Sequence, residues 1–335
     1  MRIAIVGLGA VGGLIAGRLA GAGAEVCALA RGATLEAVRT QGLRITDLRR
    51  PDEPPARFDI AVSDRASELG TADMVVLAVK APALPSVAAA VADLCRPDTT
   101  ILSAMNGVPW WFFHGLDPAL AARRWQSIDP EGMLARCMPF ERVIGSVLHL
   151  GASTPSPGLV RLATSVRIIL GEPVGGSSAR LESIASLFER SGIETERSMR
   201  IQQDVWFKLW GNMTMNPVSA FTGATADKLL DDPLVRAFLS RAMTEAAEIG
   251  ARIGLPIATS PEERHQVTRH IGAFKTSMLQ DVEAGRPIEL DSLVSSVQEI
   301  GQAVGVVTPT IDSVLGLTRL FARTRGLYPQ AAAQA

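Results

Sequence analysis

The opening stretch, MRIAIVGLGAVGGLIAGRLAGAGAEVCALAR, constrains the fold more than any other part of the chain. Ile3 to Val6 is a short apolar run of strand type, and Gly7-Leu8-Gly9-Ala10-Val11-Gly12 follows at once. Gly13 to Ala22 then reads as a helix of small residues, and Glu25 to Ala30 as a second strand. Strand, glycine turn, helix and strand in this order form the first half of a dinucleotide-binding unit. Gly7 permits the tight turn, Gly9 lets a pyrophosphate approach the backbone, and Gly12 lets helix pack closely on strand. The free N–H groups and positive dipole end of the helix face the phosphates. Three spaced glycines arise by chance in a chain with 30 of them. Placed directly after a strand and opening a helix, they predict a dinucleotide site.

Arg31 stands at the end of the second strand, where an acidic residue would hold the ribose 2′-hydroxyl of NAD. No Asp or Glu occurs between Glu25 and Glu36. An Arg there suits the 2′-phosphate of NADP, so NADP(H) is the expected cofactor. Further strands are expected at Asp59–Val62, Met74–Val79 and Thr100–Ser103, with helical segments between them, the rhythm of a parallel sheet. Lys80 and Asn106-Gly107 follow two of these strands, on the rim where open α/β sheets bind ligands.

A chain of 335 residues exceeds one ordinary core. We expect an α/β fold: a doubly wound Rossmann-type domain over residues 1–197, then an all-helical domain over 198–325. A net charge of -1 gives no argument for nucleic acid or an anionic membrane as partner. Cys27, Cys95 and Cys137 are scattered and form no Cys/His cluster, so no metal is expected and a reducing, cytoplasmic setting is. Glycines and Arg18 interrupt the apolar N-terminus, which therefore does not read as a signal peptide. No stretch approaches the roughly 20 apolar residues needed to span a bilayer.

Residues 108–141 are irregular and contain Trp110-Trp111-Phe112-Phe113, a core plug by default, otherwise a lid or a partner-contact patch. Strands are expected at 143–151, 159–163 and 166–170 around the turn Thr154-Pro-Ser-Pro-Gly158, then a helix at 179–190. Helices are expected at 199–214, 233–254, 261–284, 290–304 and 310–324, bounded by prolines including Pro217. Pro329 onward is a small-residue tail.

Within the first of these helices Lys208, Asn212 and Asn216 fall at i, i+4 and i+8, a single stripe. Their neighbours Trp206, Phe207, Leu209, Trp210, Met213 and Met215 are too apolar for a solvated helix, which suggests a cleft wall. A snorkelling Lys with two Asn side chains bonded to local backbone is the alternative. Glu289 and Asp291 stand where carboxylates ordinarily cap a helix. They gain a function if Glu289 faces Lys208, because a proton-donating Lys needs a partner that orients it and holds its charge.

These residues together resemble the ketopantoate reductase (2-dehydropantoate 2-reductase) family. The resemblance covers GLGAVG, Arg31, VKA at Lys80, Asn106-Gly107, KLWGNMTMNPVSA from Lys208, SMLQD from Ser277, AGRPIELD to Asp291, and Thr308-Pro309. It implies that Lys208 is the general acid, supported by Glu289. It also implies that Asn106, Asn212, Asn216 and Ser277 line the substrate site, and that Gly7 to Gly12, Arg31, Lys80 and Asn106 serve the cofactor. The family usually continues Glu-x-Asp with Asn-Gly, where this chain has Leu293-Val294-Ser295-Ser296. Phe274-Lys275-Thr276 likewise replaces an Asn often found before SMLQD.

The expected activity is NADPH-dependent reduction of a 2-oxo acid, ketopantoate first, held in a cleft between the domains. A same-fold reductase or dehydrogenase for another carbonyl or hydroxy acid, and a non-catalytic NADP-binding sensor, are the alternatives. A helical second domain with an aromatic patch is compatible with a homodimer.

Overall fold

The computed structural model describes residues 1–330, so all but the first two residues of the expected tail lie outside the described residues. Two compact units divide the chain. One holds Met1–Met105, Trp110–Ala121 and Gly132–Asp204; the other holds Asn106–Pro109, Ala122–Glu131 and the chain from Val205 on.

The first unit is α/β. Its strands are β1 (Arg2–Val6), β2 (Glu25–Leu29), β3 (Leu43–Asp47), β4 (Ala56–Phe58), β5 (Ala61–Ser63), β6 (Ala72–Leu77), β7 (Cys95–Ser103), β8 (Val143–His149), β9 (Ala152–Ser156), β10 (Leu159–Leu162), β11 (Arg167–Gly171) and β12 (Glu194–Arg197). The main sheet runs β12-β11-β8-β7-β6-β1-β2-β5, parallel throughout except for the antiparallel β11–β8 pair. Chain order reverses between β1 and β6. Strand ends at such a switch point leave a crevice in which ligands bind. Ile3, Ile5, Met74 and Val76 have no exposed surface, as expected for central strands covered on both faces.

Helices α1 (Ala10–Gly21), α2 (Gly32–Gln41), α3 (Ala66–Leu69), α4 (Leu84–Asp93), α5 (Pro118–Ala122), α6 (Met133–Cys137) and α7 (Ala179–Arg190) accompany these strands. A second sheet, ordered β4-β3-β10-β9, was not expected from the sequence. It packs on α1 through a stripe of glycines. A Cβ on Gly13 would stand 2.7 Å from Val160 Cγ2, one on Gly17 would overlap Ile45, and one on Gly21 would come 3.1 Å from Phe58. Gly13, Gly17 and Gly21 at i, i+4 and i+8 thus give the helix a flat face for a sheet. The aromatic run is a core plug: Trp111, Phe112 and Phe113 are at most 3% exposed, and the Trp110 indole N–H donates to Met138 O at 2.9 Å.

The second unit is helical: α8 (Ile201–Thr222), α9 (Ala226–Asp231), α10 (Pro233–Arg252), α11 (Pro261–Ile271), α12 (Ser277–Glu283), α13 (Ser296–Ala303) and α14 (Pro309–Thr324). α10 packs against α9, α11, α13 and α14. The Trp210 indole donates to Met243 O at 2.7 Å, and Gly250 leaves room for the Trp206 ring.

Three expectations are corrected here. α8 does not stop before Pro217 but runs through it. Pro217 costs one backbone hydrogen bond, while Met215 and Val218 on either side enter a core with Leu229, Leu230 and Leu239. The helix expected over 261–284 is two, broken at Gly272 (φ +80°) and restarted by Thr276, whose hydroxyl accepts from Leu279 N. The segment expected as a regular helix from 290 opens with a π-helical turn at Asp291–Ser295. Among the described residues no helix is long and apolar enough to cross a membrane.

Candidate active site

The glycine loop lies at the switch point. Gly7 has φ +94°, where a Cβ would also sit 2.7 Å from Val79 Cγ1. A Cβ on Gly12 would overlap Gly7 O, so only glycine lets α1 start so close to β1. Gly9 differs: nothing lies within 4 Å of its Cβ position. Gly7, Leu8 and Gly9 line a cavity of about 500 Å³. The far wall includes Val79, Ala83, Val87 and Ala90, apolar groups suited to a flat ring. Arg31, at the N-cap of α2, lines it too and makes no ion pair among the described residues. Space at Gly9, unpaired N–H groups at the start of α1 and an uncommitted guanidinium fit an anionic dinucleotide.

Two further residues expected to serve the cofactor, Lys80 and Asn106, are not among those that line this cavity. Lys80 precedes a 3₁₀ turn at Ala81–Ala83, outside the lining of this cavity. Asn106 belongs to the second unit, where its Oδ1 accepts a hydrogen bond from Lys208 Nζ at 2.8 Å. The polar stripe is therefore not a set of locally bonded caps. Lys208 meets a residue 102 positions away in the sequence. Burial lowers its pKa to about 8, and the negative charge of Glu289 opposes that fall.

Asn212 and Asn216 continue the stripe along α8, and Asn216 is 7% exposed. Among the described residues neither side-chain amide has a hydrogen-bond partner. Both amides are therefore free to bond a ligand or water. Ser277 is exposed at the first turn of α12. Phe274, three residues earlier, packs against the apolar cluster that includes Met215 and Val218 of α8.

Glu289 is 8% exposed and sits in a segment held from two sides. Ile288 N donates to Leu327 O at 3.1 Å, and the Tyr328 hydroxyl donates to Asp291 Oδ1 at 2.7 Å. On the other side Val108 N donates to Ser292 O at 2.8 Å. Sequence reasoning missed Tyr328, the only tyrosine of the chain. It also missed Thr34, Asp64 and Thr154–Gly158, the end of β9 with its turn, as parts of the cavity lining. The turn was legible, but its target was not. Among the described residues no group of three or more His, Cys, Asp or Glu could hold a metal ion.

Comparison with known proteins adds the following. Residues 3–175 match the family model for Ketopantoate reductase PanE/ApbA, and residues 200–322 match that for Ketopantoate reductase PanE/ApbA C terminal. The chain is 40% identical over 329 residues to the 2-dehydropantoate 2-reductase of Mesorhizobium japonicum, covering 98% of this chain and 100% of that protein. It is similar to a crystal structure assigned as a ketopantoate reductase from Ralstonia solanacearum MolK2, with 56% identity, TM-score 0.93 and coverage of 98% and 99%. The ternary structure of D-mandelate dehydrogenase with NADH and anilino(oxo)acetate shares the fold, with TM-score 0.83, 21% identity and coverage of 98% and 100%.

Proposed function

The chain belongs to the ketopantoate reductase family, and from that premise we propose that it is an NADPH-dependent oxidoreductase that reduces 2-dehydropantoate to pantoate, the reductive step of pantothenate synthesis. The observation that carries this reading is the Lys208 ammonium, bonded to Asn106, beside the charge of Glu289, and with a pKa lowered to about 8. A general acid works best when its pKa lies near the operating pH.

The residues divide the work. Gly7 to Gly12 and Arg31 hold the cofactor, which when bound supplies the hydride. As the carbonyl carbon of the 2-oxo acid accepts that hydride, charge grows on its oxygen, and Lys208 Nζ first stabilises and then protonates it. Solvent returns the proton to Lys208. Glu289 favours the ammonium form, and Asn106 fixes the direction of Nζ. Asn212, Asn216 and Ser277 donate to the substrate's hydroxyl and carboxylate. Lys80, one residue after the Val79 that lines the cavity, is assigned to reach the cofactor from outside that lining.

The test is NADPH oxidation with ketopantoate beside a panel of other 2-oxo acids, in the natural chain and in Lys208→Ala. We expect ketopantoate to be preferred and the variant to lose about 10²–10⁴-fold in kcat. A loss below about tenfold overturns the general-acid role. Preference for another 2-oxo acid keeps the chemistry and replaces the substrate. A homodimer in the cytoplasm, with Cys27, Cys95 and Cys137 free, completes the proposal; sedimentation of the purified chain checks the assembly.

A further inference from the structure

We propose that the tip of the β9–β10 hairpin, Thr154–Gly158 (the end of β9 and the Pro157-Gly158 turn), forms the second wall of the cofactor's phosphate pocket. Its Thr154 and Ser156 hydroxyls, with Thr34, read the adenosine 2′-phosphate and thereby select NADPH over NADH. The inference rests on the reading of the cavity as the NADPH site and adds the element that discriminates there.

The cavity that holds Gly7, Gly9 and Arg31 is also lined by every residue from Thr154 to Gly158. These residues reach it because the second sheet is seated on the two helices whose N-termini open there. Val160 of β10 fills the space left by Gly13 on α1. Gly158, at φ +70°, lies against α2, where its Cβ would stand 3.1 Å from Ala37 Cβ. Its carbonyl accepts from Arg44 N at 2.9 Å, and β10 pairs in parallel with β3 from Leu159 onward. α2 itself begins at Gly32, directly after Arg31. The turn is thereby placed beside the residue that supplies the positive charge.

Its composition suits phosphate. Pro155 and Pro157 have no N–H and hold φ near one value, so the turn is stiff and its donors are few. Its side-chain donors are the hydroxyls of Thr154 and Ser156. Thr154 and Ser156 are exposed, and among the described residues neither hydroxyl, nor that of Thr34, has a partner. Neutral donors around one guanidinium bind a doubly charged oxyanion without crowding cations. Asp64 lines the same cavity from the end of β5. As an acceptor it repels phosphate and suits the amine of adenine, which leaves the phosphate to the Arg31 side.

The experiment is calorimetric titration of the full chain with NADPH and with NADH, for the natural protein, Arg31→Ala, Ser156→Asp and a Thr154→Ala/Ser156→Ala double variant. Ser156→Asp is expected to weaken NADPH at least about tenfold and to change NADH by less than about threefold, since a hydrogen bond to a charged group is worth roughly that much. The double variant is expected to move the ratio the same way by about fivefold or more. It carries the test if Ser156→Asp does not fold. If the natural chain prefers NADPH, Arg31→Ala abolishes that preference, and the turn variants leave it unchanged, this inference falls and the cofactor reading stands. A natural chain without preference for NADPH overturns both.

Discussion

Gly107 and Ser292 meet backbone to backbone: a Cβ on Gly107 would overlap Ser292 O, the same oxygen that accepts from Val108 N at 2.8 Å. The loop after β7 is thereby locked to the π-helical turn that follows Glu289. The residue before the lock is Asn106, which holds Lys208. A glycine with φ +82° thus joins the two segments that orient the candidate acid. Gly107→Ala should cost about 1–3 kcal/mol through strain and forced separation. It should also lower kcat far more than its effect on cofactor affinity. Thermal melts and steady-state kinetics check both; unchanged kcat would dissociate the lock from catalysis.

The pH profile follows from Lys208. Its proton is the one donated, so reduction should fall as pH rises through about 8, and oxidation of the hydroxy acid should rise through the same range. The folding linkage has the opposite sense from that of a salt-bridged Lys. The native pKa lies below the unfolded value, so the native state binds fewer protons between them, and this group's contribution to stability improves with rising pH across that window. Rate and stability profiles of the natural chain and Lys208→Ala separate the two effects.

Glu289→Gln removes the charge that opposes the fall in Lys208's pKa. The upper limb of the reduction profile should therefore move to lower pH, with the loss of rate growing as pH rises above neutral. A limb that stays in place while kcat drops would make Glu289 a structural residue.

Gly9 and Gly12 separate function from folding. Gly9→Ala meets no atom within 4 Å, so it should cost about 1 kcal/mol or less while blocking the approach of the pyrophosphate. Gly12→Ala overlaps Gly7 O and should destabilise the unit by several times as much. Melting curves with and without NADPH distinguish them: only Gly9→Ala should keep the melt and lose the shift.

Tyr328→Phe keeps the ring and removes the hydrogen bond to Asp291. Burial and that carboxylate hold the phenol pKa well above its usual range, so the bond persists at alkaline pH. We expect a loss of about 1–2 kcal/mol and a several-fold lower kcat, measured by denaturant melts and turnover.

Local features were legible without the structure. The strand, glycine turn and helix at the N-terminus follow from apolar runs and glycine spacing over a dozen neighbouring residues. The Lys208–Asn212–Asn216 stripe follows from one helical period. The two-part α/β and helical architecture follows from the change in that periodicity along the chain. What required the tertiary structure was every relationship between distant segments. Leu43–Asp47 carries no strand signal strong enough to announce a second sheet; it exists because Gly13, Gly17 and Gly21 offer it a face. Pro217 reads as a stop, yet apolar burial on either side carries the helix through it. Thr154–Gly158 reads as a connector, and only the seating of β10 on α1 and α2 turns it toward the cavity at the glycine loop. Asn106 and Lys208 share no local pattern. Spacing along a helix or strand is set by backbone geometry and is written in neighbouring residues. The meeting of Asn106, Lys208, Glu289 and Ser292 is set by side-chain and backbone contacts across the unit, between segments far apart in the sequence.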